Sequence, residues 1–246
     1  MTKEKKHTEK RSHPLPWIVG TVLLLGAVVL AGLYWSRTGS IEEVQFRGNE
    51  YVSLEELQKQ IDIPKGIKPD SLNYNAIVQQ IKEIKFVEKV ELKIQPGGTM
   101  VVEVSERKPI ALLIDQSSQC YVDSNGVKLK LASAHVPSVP VLYGFNVEPM
   151  TDTLSSTAFK NISRFLQELM HNPASNATIS ATRWSEENGV TALTNNGGVK
   201  LIFGKKQFAK RLRNWEAFYA QVVRHKGISQ FESVNLKFKG QIVTHE

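Results

Sequence analysis

The feature that most constrains this chain is an uncharged run of nineteen residues, 17–35, which reads WIVGTVLLLGAVVLAGLYW. At about 1.5 Å per residue, a helix of this length crosses the roughly 30 Å hydrocarbon layer of a bilayer. Trp17 and Trp35 bracket the run and suit the interfacial belts in which aromatic rings collect. The pattern predicts a single N-terminal transmembrane helix over residues 14–36.

A cleaved signal peptide is the other interpretation of this run. The apolar core of such a peptide usually has about 7 to 15 residues, and a small-x-small cleavage site follows it. No convincing site of that kind follows Leu33. The sequence therefore favours an anchor that stays attached to the protein.

Basic residues are distributed unevenly about the run. Residues 1–13 hold five Lys or Arg against two Glu, whereas Arg37 alone closely follows the run. Because cations favour the cytoplasmic side, residues 1–13 are predicted to be a cytoplasmic basic head and residues 40–246 to be external. The whole chain has a net charge of +7, so this short head carries nearly half of it. That distribution argues against nucleic-acid binding by the external part.

The residues after the run, up to about residue 110, have the pattern of a small α+β unit. A strand is predicted in IEEVQF, a helix at the capping box that begins with Ser53, and a second helix near Asn73. Two further strands are predicted on either side of a Pro-Gly-Gly turn. In the first of them Val90, Leu92 and Ile94 alternate with polar residues and are expected to be buried. These pieces predict a three-stranded sheet covered on one face by two helices.

Residues 111–246 predict a mixed α/β domain with an antiparallel sheet. A hairpin is expected around Asn125 and Gly126, and an amphipathic helix over 154–169. Three short strands over 179–203, separated by Gly-containing turns, predict a β-meander. A second amphipathic helix begins near Phe208, and two strand-like runs, FESVNLKF and QIVTHE, end the sequence.

The order of these pieces resembles the bacterial cell-division family FtsQ, called DivIB in Gram-positive organisms. The pieces that carry the resemblance are VQFRGN, SLEEL, VVEVSERKPIA, YVDSNGV, the LIFGKKQFAKRLRNW helix entry and SVNLKFKGQIV, all behind one basic-headed membrane span. The resemblance covers about residues 1–245. It implies a POTRA domain over residues 40–110 and an FtsQ-type β-domain over 111–246, within the α+β class.

The resemblance also implies a function without catalysis. Members of the family are bitopic proteins of the inner membrane, with their C-terminal domains periplasmic or extracytoplasmic at the division septum. The POTRA domain is expected to contact upstream division proteins, with Met100 to Val104 as its candidate edge. The alternative is a POTRA-bearing accessory protein of secretion or envelope assembly, but the residues after Ala111 are too few for the membrane barrel expected there.

The candidate site is the C-terminal strand, which the resemblance implies to pair with FtsB, a coiled-coil protein that acts together with FtsL. Exposed edge strands can accept a partner strand, although lysines on such an edge can also block pairing. The family usually has Asp-Leu-Arg-Tyr where this chain has Asn-Leu-Lys-Phe. The predicted partner-binding residues are Lys237, Phe238, Lys239, Gly240, Gln241, Ile242 and Val243.

Residues of the types that do chemistry form no recognisable catalytic or metal motif. The six His are scattered without metal-ligand spacing, and no nucleophile motif is present. Cys120, the single cysteine, is expected to be at the surface or half-buried. A basic cluster over residues 205–213 is interpreted as a solvated face, because its neighbouring aromatic residues suit an apolar helix face. We therefore expect no enzyme activity, no metal and no cofactor.

Overall fold

The computed structural model describes residues 15–116 and 118–246. The helices are α1 Leu15–Thr38, α2 Leu54–Gln60, α3 Tyr74–Lys82, α4 Thr157–Met170, α5 Pro173–Asn176 and α6 Phe208–Phe218. The strands are β1 Glu43–Arg47, β2 Val87–Gln95, β3 Thr99–Glu106, β4 Pro109–Ile114, β5 Gln119–Asp123, β6 Lys128–Leu129, β7 Val141–Tyr143, β8 Ile179–Ser185, β9 Gly189–Thr194, β10 Lys200–Gly204, β11 Ser233–Asn235 and β12 Val243–His245. The α+β class predicted from the sequence is confirmed.

Helix α1 occupies the apolar run near the start of the chain. The large apolar side chains between Val19 and Tyr34 are exposed, as expected for a helix whose whole circumference is apolar. Over the residues that the structure describes, no helix combines the length and the apolar character needed to cross a membrane. The predicted cytoplasmic head, residues 1–13, lies outside the described residues.

The chain folds into two compact units, and each unit gathers segments that are separate in sequence. The first comprises residues up to Gln45, together with Ile63–Asn73 and Lys93–Val101. The second comprises Phe46–Asp62, Tyr74–Leu92 and Val102–Glu246.

Two backbone contacts hold the first unit together. Ile41 is buried, and its backbone N–H donates to the carbonyl of Ile67 at 2.9 Å. Gly98 has φ +81°, and an added Cβ would lie 2.3 Å from the carbonyl oxygen of Ser40. Position 98 therefore requires glycine, both for its backbone conformation and for the close approach of the two segments.

The local sequence signals for helices α2 and α3 are confirmed. Ser53 is the N-cap of α2, and its hydroxyl accepts the backbone N–H of Glu56 at 3.2 Å. Helix α3 begins one residue after Asn73 and buries Ile77 and Ile81 on one face. Each helix therefore forms where its capping residue and its apolar spacing predict it.

The three-stranded sheet has the order β1-β3-β2, which corrects two expectations. Met100 to Val104 lies in β3, the central strand, and is therefore not an edge that a partner could use. Met100, Val101 and Val102 are all buried, so this strand is covered on both faces. In β2 the side chain of Leu92 is only half-buried and that of Ile94 is 40% exposed, because this strand extends beyond the apolar core.

The larger sheet has nine strands in the order β12-β11-β10-β9-β8-β7-β4-β5-β6. The predicted meander is confirmed, because β8, β9 and β10 are consecutive antiparallel neighbours. Three pairs are parallel, namely β10 with β11, β7 with β8 and β4 with β7. Helix α6 lies in the crossover between β10 and β11. In this order β12 forms one end of the sheet, next to β11.

Helices α4 and α6 pack on the nine-stranded sheet and form its core. The ring centroid of Phe165 on α4 lies 4.8 Å from the ring centroid of Phe203 on β10 and 5.5 Å from that of Phe208 on α6. Trp215 on α6 is fully buried, and its indole N–H donates to the hydroxyl of Thr178 at 2.8 Å. Truncating such an aromatic side chain to Ala typically costs about 3–5 kcal/mol, so these rings anchor both helices to the sheet.

Cys120 lies deeper than its sequence context indicated. It is 0% exposed within β5, among the core side chains of the larger sheet, and is not at the surface or half-buried as expected. Burial raises the pKa of its thiol to about 11, although the positive charge of Lys128 acts in the opposite direction. A thiol protonated at neutral pH and shielded from solvent is a poor nucleophile.

Candidate functional site

Strand β12 presents an open side at one end of the nine-stranded sheet. It pairs antiparallel with β11, in the register Ser233 with His245, Val234 with Thr244 and Asn235 with Val243. Along its other side no strand of the described part of the chain is paired with it. A strand with one open side can accept a further strand through its backbone N–H and C=O groups.

The seven predicted partner-binding residues lie next to this edge, mostly outside the strand itself. Residues 236–242 form the connection between β11 and β12, and of the seven predicted residues only Val243 belongs to β12. The side chain of Asn235 accepts the backbone N–H of Lys237 at 3.2 Å, which turns the chain away from the sheet. Gly240 has φ +78° and continues the turn in a region that other residues rarely adopt. The backbone available for pairing is therefore Val243–His245.

Arg211, a member of the basic cluster, fixes the start of this connection. Its guanidinium donates to the carbonyl of Lys237 at 2.9 Å and also to the carbonyl of Phe203. Burial lowers the pKa of Arg211. Gly204 allows this approach, because an added Cβ would lie 2.5 Å from Nη1 of Arg211. Arg211 is thus a structural residue rather than part of a solvated face.

Lys237 and Phe238 are presented together at the surface. The ammonium group of Lys237 lies 5.7 Å from the ring centroid of Phe238, within the range of a cation–π contact. The side chain of Phe238 is 42% exposed, so a large part of its ring is free to contact another protein. Aromatic side chains are enriched in the centres of protein interfaces whereas lysines are depleted there, so Phe238 is the stronger candidate contact.

Ile242 has a different role from Phe238. It is partly buried and packs against the core of the larger sheet, so it is already committed within this chain. Phe238 rather than Ile242 therefore has an apolar side chain available to a partner. Near Ile242 a groove of about 430 Å³ separates the connection from helix α6. Its lining includes Asn214, Phe218 and Gln241, a mixture of apolar and hydrogen-bonding groups that suits a protein side chain.

The segment SERKP, at the end of β3, carries charged residues that bind within the chain. The carboxylate of Glu106 accepts the backbone N–H groups of Glu50, Tyr51 and Val52 at 2.9, 2.7 and 3.0 Å. Its role was not predicted, because its partners lie more than fifty residues earlier. The one available signal was a carboxylate at the end of a strand, in a segment shared with the resembled family.

Arg107, the next residue, completes this junction. Its guanidinium lies 3.1 Å from the carboxylate of Asp123, which is buried and also accepts the backbone N–H groups of Asn125 and Val127 at 2.9 and 2.8 Å. A second carboxylate, that of Glu88, lies 3.6 Å from the same nitrogen. A buried carboxylate with three hydrogen-bond donors is a well-satisfied structural group.

Side chains of the types that bind metal ions are spread through the described part of the chain. No cluster of three or more His, Cys, Asp or Glu there has the arrangement of a metal site. His7 and His13 lie outside the described residues. The residues between Gly204 and Phe208 join β10 to α6.

Comparison with known proteins finds matches over two consecutive segments of the chain. The chain matches the family description "FtsQ/DivIB, C-terminal related" over residues 108–245 and "POTRA domain, FtsQ-type" over residues 39–107. Cell division protein FtsQ of Rhodothermus marinus is 26% identical over 243 residues, with 92% of this chain and 86% of the relative covered. Its counterpart in Salinibacter ruber is 23% identical over 256 residues, with 99% and 97% covered.

Gram-positive relatives are also similar. Cell division protein DivIB of Staphylococcus aureus is 24% identical over 216 residues, which cover 85% of this chain and 44% of that protein. The solved extracytoplasmic domain of DivIB from Geobacillus stearothermophilus is 25% identical and matches 49% of this chain and 97% of that structure, with a TM-score of 0.34. Because one family description alone matches more than half of the residues, the chain belongs to the FtsQ/DivIB family of bacterial cell-division proteins.

Proposed function

We propose that this chain is a non-enzymatic, bitopic scaffold of the divisome that links early and late division proteins at the septum. In this proposal FtsB/FtsL-type proteins bind the carboxyl-terminal edge, and upstream division proteins bind the POTRA domain, residues 40–110. The observation that carries the proposal is the open side of β12. Membership of the FtsQ/DivIB family supports it.

The neighbourhood of β12 supports binding by strand addition. Main-chain hydrogen bonds to Val243–His245 would supply affinity for an extended partner segment, and side-chain contacts would supply selectivity. Phe238 offers an exposed ring beside this edge, and Lys237 offers a positive charge for a partner carboxylate. A Lys gives a single-point contact with a carboxylate where the family's usual Arg gives a bidentate one.

The membrane arrangement is part of the same proposal. Residues 14–36 anchor the chain in the inner membrane, with the head at residues 1–13 in the cytoplasm and residues 40–246 on the extracytoplasmic side. The uncharged run and the excess of cations before it support this orientation. Alkaline phosphatase fused after Glu246 should be active in bacterial cells, whereas an inactive fusion at normal expression would reject the orientation.

The edge is tested with proline at the middle residue of β12. Thr244→Pro removes one backbone N–H and fixes φ, so it should prevent strand addition, while Thr244→Ala keeps the backbone unchanged and is the matched control. The full chain is co-expressed with the FtsB- and FtsL-type proteins of the same organism and purified from membranes. We expect Thr244→Ala to retain the partners and Thr244→Pro to lose most of them. Equal partner recovery from the two variants, both folded by circular dichroism, would reject the edge as the binding site.

A further inference from the structure

A positively charged surface lies between helices α4 and α6, and we call it the basic groove. It is an open concavity of about 600 Å³, and its cationic lining residues are Arg164, Lys205, Lys206, Lys210 and Arg213. Beneath it, the rings of Phe165 and Phe208 pack edge to face at 5.5 Å, which holds the two helices together. The groove therefore has rigid walls, with positive charge on both of them.

Most of these cations have no acidic partner in the part of the chain that the structure describes. Lys205 lies 3.6 Å from the carboxylate of Glu186, whereas Lys206, Lys210 and Arg213 form no ion pair with any described residue. Glu168 on α4 contributes one negative charge to the lining, which leaves a clear excess of positive charge. Since like charges placed close together repel one another, an acidic ligand would relieve a repulsion that this chain does not relieve itself.

The three unpaired cations are close in sequence, at α6 and just before it. Lys206, Lys210 and Arg213 are spaced by four and three residues, and all three line the same concavity. Lys210 and Arg213 are three residues apart on α6 and lie on one face of that helix, whereas Lys206 precedes its N-cap, Gln207. Carboxylates one turn apart on a partner helix match the spacing of Lys210 and Arg213, with Lys206 beyond the helix start. The first turn of α6 contains no acidic residue, and the side chain of its N-cap, Gln207, makes no capping hydrogen bond, so the helix dipole adds to the positive potential.

The lining also indicates what kind of anion fits. Phe208 and Ala209 contribute apolar surface between the cations, and Gln167 and Gln207 contribute amide groups. A lone phosphate would contact one or two of the cations and leave the rest of the groove empty. An amphipathic helix with an acidic stripe beside an apolar one matches both the cations of the groove and the apolar surface between them.

We propose that the basic groove docks the acidic face of an α-helix from a partner protein. This surface is additional to the β12 edge of the proposed function, and neither site needs the other in order to bind. The partner class is defined by its chemistry: a helix with carboxylates one turn apart along one face. Lys206 and Arg213 are the residues to change, because Lys210 also lines the groove beside Gly240 and Gln241.

The test uses the full chain in nanodiscs of uncharged phosphatidylcholine. The probe is a fluorescent fifteen-residue helical peptide with Glu at positions i, i+4, i+7 and i+11, and the reference peptide has the same composition with Glu distributed around the helix. The double variant Lys206→Gln with Arg213→Gln is compared with Lys59→Gln with Lys82→Gln, which removes the same charge from exposed sites elsewhere. Fluorescence anisotropy measures Kd at low and at high salt.

We expect the one-faced peptide to bind about tenfold more tightly than the reference peptide at low salt. The groove variant should weaken that binding by about three- to tenfold, the range for two exposed ion pairs, and high salt should weaken it further. The control variant should remain within about twofold of the parent. Thr244→Pro should also leave peptide binding unchanged, so failure of the β12 proposal and failure of this one can be distinguished.

Three results would overturn the proposal. Equal affinity for the two peptides would show a general charge effect without helical geometry. Equal losses in the groove and control variants would show that net charge alone controls binding. In a separate arm, vesicles with 30 mol% phosphatidylglycerol are mixed with the nanodiscs; vesicle binding that the groove variant abolishes, without peptide discrimination, would assign the groove to anionic lipid instead.

Discussion

Two segments of this chain carry much of its resemblance to the FtsQ/DivIB family, and they use their charged residues in opposite ways. In the segment at the end of β3, Glu106 and Arg107 bind groups within the chain at distances of 2.7–3.1 Å. In the connection before β12, Lys237 keeps its ammonium group beside the exposed ring of Phe238. Both segments resemble the family in sequence. The charged residues of the first stabilise the fold, whereas those of the second are available for binding.

The largest effect should come from Glu106→Ala. The substitution leaves three backbone N–H groups without their charged acceptor. Because these groups are partly accessible to water, the expected loss is about 2–4 kcal/mol in total, less than three fully buried hydrogen bonds to a charge would give. Thermal unfolding of the full chain in detergent measures it. Glu55→Ala, which removes only an exposed pair with Lys59, should cost under about 0.5 kcal/mol. Similar Tm values for the two variants would contradict the structural role of Glu106.

Arg107→Met should have the next largest effect on stability. It preserves much of the apolar stem but leaves the buried carboxylate of Asp123 with only two backbone donors, at a cost of about 2 kcal/mol. The double variant with Asp123→Asn removes the unpaired charge and should recover part of the loss. If the double variant is as unstable as the sum of the single variants, the two side chains do not act as a pair.

Phe238→Ala tests the other side of the comparison. The exposed ring contributes little to folding, so the free energy of unfolding should change by under about 0.5 kcal/mol. Binding of the FtsB-type partner should weaken by about tenfold, as for a central aromatic contact of an interface. Isothermal titration with the full chain provides Kd, and Tyr143→Ala, which truncates another exposed aromatic ring at 45% exposure, is the matched control. If Phe238→Ala lowers the stability but leaves partner binding unchanged, Phe238 is a structural residue and not a binding residue.

Cys120→Ser should lower the stability by about 1–2 kcal/mol, because a hydroxyl replaces an apolar thiol in the core. The raised pKa also predicts a pH dependence. The folded state favours the protonated thiol, so this contribution to stability is complete below the ordinary thiol pKa of 9.0 and is lost as the pH rises towards about 11. The free energy of unfolding is measured at pH 8 and at pH 10.5 for the parent and for Cys120→Ser, and the difference between their pH responses gives the contribution of Cys120. A pH response unchanged in the variant would exclude Cys120 as its source.

Features set by neighbouring residues were predictable from the sequence. The capping box at Ser53, the apolar spacing of α3 and the Gly-containing turns of the β8–β10 meander each depend on a few consecutive residues. Partner binding by residues 237–243 stays a prediction, although the two strands on either side of this segment were predictable. The division of these residues between a connection and a three-residue strand was not predictable, because Asn235 ends β11 through its own side chain.

Features set by distant partners were not predictable in this way. The sequence does not show that β3 lies between β1 and β2, because strand order depends on pairings across the sheet. Ile94 has the alternation of a buried strand but extends beyond the core. Arg211 looks like its solvated neighbours, and only the folded chain brings the carbonyls of Phe203 and Lys237 to it. The residue type determines which interactions a side chain can make, whereas the fold determines which partner lies next to it.

The short length of β12 has a consequence for the dynamics of this edge. Three residues paired on one side have few hydrogen bonds to lose, so the strand should open locally at a much lower free energy than the meander. Ordering the backbone costs roughly 1–2 kcal/mol per residue, and a partner strand would have to offset part of that cost as it adds. Recognition at this edge would then be coupled to local folding, and amide protons of Val243–His245 would exchange fast in the free chain and slowly in the complex.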